Sequence, residues 1–286
     1  MIPDILSATL RALGFVAVLQ AGGAALFLAL FGRDLVSARR EILRLVRVAT
    51  LAAAVLLSAQ YLLEPARMAG ALSGMFDAEL QGFALHSRAA LVLGLRLAGL
   101  LLLAWALRGN GTGMRSYGVA GAVLIALSFP AMGHSAEDPA REWLMPLLGL
   151  HLLVVEFWFG ALLPLILVGE REPAEVSASV LERFSRLATW LVPLVLVAGL
   201  LIATKLLPDL AALRGSYGIG LILKVLLFSV LMGLAALNKW RLGPALARGG
   251  RTAQLGLRRS IGTEFVLIVL VLMGTATLTT FWSPGS

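Results

Sequence analysis

Two of the chain's three histidines stand in the stretch GHSAEDPAREWLMPLLGLHLLVVEFWFGALLPL, residues 133–165. His134 closes one apolar run, and His151 sits inside the next with Glu156 and Trp158 just beyond it. Imidazole is a ligand for copper and zinc, and thioether sulfur selects Cu(I). Met132 lies two residues before His134 and Met145 six before His151, so both join the two imidazoles as metal-ligand candidates. His86, the third histidine, completes that set. The chain has 0 Cys, which excludes disulfides, thiolate metal sites and CxxC redox chemistry. The acidic pair Glu137–Asp138 beside His134 reads as solvated loop that attracts cations.

These residues need a scaffold, and composition says which. Of 286 residues, 59% are apolar and only 14% charged, with a mean hydropathy of +0.90. A soluble domain carries about 25% charged residues. The natural solvent of this chain is a lipid bilayer. The net charge of +8 does not indicate nucleic acid, because the basic residues fall in short clusters between apolar runs. The pattern predicts an all-α, polytopic helix bundle of about eight spans, near 5–31, 44–63, 88–107, 116–133, 142–168, 187–207, 217–238 and 261–282. The fourth is the shortest and contains Pro130. The N-terminal stretch MIPDILSATLRALGF has no cationic region or cleavage site and reads as the start of the first span.

Charge sorts the connections. Sixteen of the 24 Lys/Arg fall on the side shared by connections one–two, three–four, five–six and seven–eight; five fall on the other side. Positive charge stays cytoplasmic, so both termini are expected to be periplasmic. Residues 1–286 read as a single transmembrane domain, with no P-loop, HExxH or GxSxG, and hence no visible ATP motor or enzyme signature.

Ionisable side chains at bilayer depth are costly and mark functional positions. Arg11, Arg96, His151, Glu156, Lys224 and Glu264 qualify. Counting from Glu142, His151 lies about 13 Å and Glu156 about 21 Å into its span. Arg11, Arg96 and Lys224 lie roughly 9–12 Å from the outer ends of theirs. Five residues of helix separate His151 from Glu156 by about 140°, whereas seven bring Trp158 under His151. His151 and Trp158 are therefore expected on one surface and Glu156 on another, there pairing with Arg96 or another cation. The cations are expected to serve carboxylates and helix ends, or to gate.

The residues Gly133-His134-Ser135-Ala136, then HLLVVEFWFGALLPL (151–165), resemble the copper resistance protein D (CopD) family. The resemblance continues through Tyr217, Gly218, Leu221 and Lys224, through Asn238, Arg241, Leu242 and Pro244, and to Glu264. Departures are Ala161 for a second Gly, Lys239 following Asn238, and Ser135 for Ala; none removes a ligand candidate. The resemblance implies a multi-pass protein of the bacterial inner membrane that carries copper, Cu+ or Cu2+, with import from periplasm to cytoplasm the usual direction. No fused CopC-type domain, which some relatives possess, is visible in the sequence, so a periplasmic copper carrier is expected to be a separate protein. Copper would arrive at His134 and His86, pass to His151, and continue inward by way of Gln20, Glu156 or Asn238. The alternatives are a copper-delivery or assembly protein without transport, and a haem-binding redox protein, which would need paired axial histidines.

Overall fold

The computed structural model describes residues 2–109, 111–131, 141–206, 216–247 and 251–281, and among these the regular structure is all helical. Helix α1 runs Ile2–Phe31, α2 Arg39–Leu62, α3 Glu64–Ala69, α4 Ala78–Leu85, α5 Arg88–Ala106 and α6 Thr112–Ser128. Then follow α7 Arg141–Arg171, α8 Ala174–Leu206, α9 Ser216–Leu237, the short α10 Gly243–Ala247, and α11 Arg251–Phe281. Among the described residues, 7 helical segments are long and apolar enough to cross a membrane: Ile2–Phe31, Arg39–Ala69, Arg88–Ala106, Arg141–Arg171, Ala174–Ile202, Gly218–Ala245 and Gln254–Phe281. The chain is thus a multi-pass membrane protein. The predicted fourth span corresponds to α6, which at 17 residues is shorter than these seven.

Helices extend beyond the apolar windows where nothing stops them. The span expected from residue 187 begins at Ala174, because Glu175, Glu182, Arg183 and Arg186 continue as a polar helical prelude after Pro173. Pro146 and Pro164 lie inside α7 and Pro193 inside α8 without ending either; proline is tolerated in spanning helices.

The bundle is built around α1, which packs against α2, α6, α7 and α11. Phe27, Phe31, Phe159, Ile42 and Leu103 are among its fully buried side chains. Two helix contacts depend on glycine. A Cβ on Gly23 or Gly160 would overlap the backbone of the other helix, so α1 and α7 meet backbone to backbone. Gly99 and Gly121 do the same for α5 and α6. Small residues allow such approach, which is how helices associate where lipid removes the hydrophobic driving force. The outer helices instead present Leu, Val and Ile outward, for example Leu200, Leu201, Ile219, Leu223 and Val225.

Polar clasps mark the two ends. At one end Asp34 pairs with Arg183, Glu170 with Arg258 at 2.9 Å, and Gln254 donates to the Gly169 carbonyl. There Glu172 Oε1 accepts the N–H groups of Val36, Ser37 and Ala38 at 2.8–2.9 Å, an anion seated at the start of α2. At the other end Arg67 bridges Asp4 and Glu64, and Arg11 donates to the Thr279 carbonyl at 3.2 Å. The N-terminal part of α1 and the C-terminal part of α11 therefore lie at the same end of the bundle.

Candidate functional site

The imidazole of His151 faces α8. Its Nδ1 lies 3.2 Å from the Val195 carbonyl oxygen, and Gly199 leaves room for the ring edge. A carbonyl only accepts, so Nδ1 carries the hydrogen and donates. In the neutral ring the lone pair is then on Nε2, which is the arrangement seen in metal-ligating histidines whose other nitrogen is anchored. Trp158, two turns along α7, faces the same side. It meets Phe228 of α9 edge-on at 6.4 Å between ring centres, and lines a narrow gap with Val154, Phe157, Phe184, Ala188, Leu191 and Val192. Glu156 turns the other way, against Gly22 of α1. The expected split between His151 with Trp158 and Glu156 is what α7 displays.

Below the gap lies a cavity of about 740 Å³ between α7, α8, α10 and α11. Trp158, Phe184 and Ala188 line both spaces, so two aromatic rings and one methyl group stand between them. One wall holds Glu264, only 2% exposed. Its carboxyl accepts hydrogen bonds from the Asn238 side-chain amide and from the Trp158 indole. Asn238 begins a π-helical turn, Asn238–Leu242, in which the Gly243 N–H reaches back to the Asn238 carbonyl. Pro244 offers no N–H to complete the α pattern there, and such widened turns are frequent at functional sites. Lys239, next in that turn, donates to Thr189 at 2.8 Å across the mouth of the cavity, near the Arg186–Glu182 pair.

The remaining predicted residues divide clearly. Arg11 caps the end of α11, as expected of a cation serving a helix terminus. Arg96 donates to Ser128 at 3.1 Å and stacks over Phe129 at 4.3 Å, so it does not pair with Glu156. The expected ion pair fails because Ser128 and two phenyl rings surround the guanidinium on the far side of α1, while both Glu156 oxygens lie without a hydrogen-bond partner among the described residues. His86 is exposed after α4, with Nδ1 2.8 Å from the Gly82 carbonyl. Met145 is half-buried on α7 but, six residues from His151, lies about 240° around the helix. Met132, His134 and the Lys224 side chain lie outside the described residues. No three His, Asp or Glu side chains gather at one point among the described residues.

Sequence reasoning marked Glu264 as an ionisable residue at bilayer depth but missed its two donors and the cavity. The signal available was two polar heads, Trp158 and Asn238, in otherwise apolar segments; their convergence depends on helix rotation that periodicity does not fix.

Residues 178–278 match the family model "Copper resistance protein D". The chain is also similar to Copper resistance protein D of Pseudomonas syringae pv. tomato, 29% identical over 165 residues, or 53% of this chain and 53% of that protein. The chain thus spans about half the length of the curated relative it matches. No solved structure matches. The resemblance read from the motifs is borne out over the segment that supplies α8 to α11, three walls of the cavity.

Proposed function

We propose that this chain carries copper across the bacterial inner membrane, from periplasm to cytoplasm, along the seam between α7 and α8. The observation that carries the reading is the alignment of His151, the aromatic gap and the Glu264 cavity on one face of α7. Copper reaches His151 from the outer mouth, where His134 is the first ligand and His86 an accessory one. Met132 is the soft ligand for the reduced ion at that mouth, since Met145 lies off the His151 face of α7. Trp158 and Phe184 act as the barrier, and the cavity is the inner vestibule. Arg11 and Arg96 stand on the α1, α5 and α11 side, away from the seam, so their charge does not block a cation there. A separate carrier of the CopC type delivers the ion at the periplasmic face.

The topology that suits this reading has eight crossings with both termini periplasmic. Arg11 bonded to Thr279 supports an even number, since an odd number would part the chain ends. Helix α6 supplies the eighth crossing: 17 residues span about 25 Å, short of the ~30 Å hydrocarbon core but within reach through local thinning. The basic excess on the clasped end of α1–α2, α7–α8 and α9–α11 supports assigning that end to the cytoplasm.

A copper titration of purified single-histidine variants tests the site. His134→Ala and His151→Ala should each weaken binding by at least ~1.4 kcal/mol, a factor of ten, with His86→Ala changing it less. Affinity should also fall on acidification, because protons compete for a ligating imidazole. Equal, negligible effects from all three variants would remove the metal assignment.

A further inference from the structure

The contact between α1 and α7 concentrates acceptors that meet no donor. Glu156 is 0% exposed, and neither carboxyl oxygen has a hydrogen-bond partner among the described residues. Gln20, 4% exposed, spends its amide N–H on the Gly160 carbonyl at 3.0 Å, and its own Oε1 is likewise unpartnered. Helix α1 is cut away to admit the carboxyl. A Cβ on Gly22 would overlap Glu156 Oε1, and one on Gly23 would overlap the Glu156 carbonyl. The pocket is thus shaped around the buried acid.

Among the described residues no cation reaches either Glu156 oxygen, and the buried or paired charges on the surrounding helices are engaged elsewhere. Arg11 of α1 holds Thr279, Arg96 of α5 holds Ser128, and Glu264 of α11 holds Asn238 and Trp158. Arg44 of α2 pairs with Glu41, Arg183 of α8 with Asp34, and Arg186 of α8 with Glu182. Arg115 and Tyr117 stand at the start of α6, the end of that helix opposite Ser128, and His151 on α7 itself turns to α8. A buried carboxyl without such help needs a bound cation or a proton. The glycine backbones against it leave no volume for a coordinated metal ion. Carboxyl and amide oxygens without nitrogen or sulfur are also poor partners for copper. A proton needs no volume.

We propose that Glu156 is a proton-binding site, set apart from the copper seam, that locks α1 to α7. A proton from hydronium adds to one carboxylate oxygen, an O–H bond forms, water is left behind, and no electron changes hands; the unpartnered Gln20 Oε1 at the same helix contact is the acceptor assigned to that O–H. Loss of the proton leaves a bare charge against the α1 backbone and loosens the contact, giving the core two states. The inference stands on the α1/α7 contact alone and does not depend on which ion the seam carries.

Infrared difference spectra of the full chain in lipid nanodiscs, without metal, test it. The wild type minus Glu156→Gln spectrum at neutral pH should show the C=O stretch of a protonated carboxylic acid, and wild type minus Glu156→Asp should show that band displaced rather than lost. Glu156→Gln, a neutral isostere, should fold as the wild type does. Superimposable carboxylic-acid regions for wild type and Glu156→Gln would overturn the proposal, and so would a Glu156→Gln chain that fails to fold.

Discussion

The two faces of α7 treat a buried carboxyl in opposite ways. Toward α1, Glu156 is pressed against glycine backbones and meets no donor among the described residues. Toward α8 and α11, Glu264 has two donors, Asn238 and Trp158, and opens on about 740 Å³ of space. The first face holds α7 against α1; the second borders open space. One helix thus separates a tightly packed face from an open one by the residue types on its two sides: Gly160 and Glu156 on one, His151 and Trp158 on the other.

Substitutions that break this contrast rank by how much backbone they disturb. Gly160→Val should have the largest effect, because its side chain must enter the α1 backbone at Gly23. Destabilisation should exceed the ~3 kcal/mol typical of severe overpacking, seen as loss of folded protein in detergent melts. Trp158→Ala should follow, costing about 3–5 kcal/mol by merging the gap with the cavity. Asn238→Ala should cost about 1–3 kcal/mol by leaving Glu264 short of a donor. Both are measured as thermal unfolding in lipid, and a Trp158→Ala loss no greater than that of Asn238→Ala would mean the ring is not the barrier. Arg186→Ala should stay within about 0.5 kcal/mol, since its pair with Glu182 is solvent-exposed.

The bundle was legible because its signals are local. Apolar run length predicts the helices, and 100° per residue separates His151 from Glu156. Neither gives a helix's rotation against its neighbours. That is why Arg96 was expected on Glu156 yet stacks on Phe129, and why the Glu264–Asn238–Trp158 cluster could not be read from three distant segments. The unusual depth of Glu156 was visible; the glycines that receive it, Gly22 and Gly23, became meaningful only once α1 and α7 were in contact.

Copper flux into sealed proteoliposomes, read by an enclosed copper-sensitive dye, tests the central claim most directly. Wild-type vesicles should fill with copper, and His151→Ala vesicles should fill at least ~10-fold more slowly at sub-saturating copper. Equal rates for the two, or copper bound by the wild type with none appearing inside, would contradict transport along the α7/α8 seam.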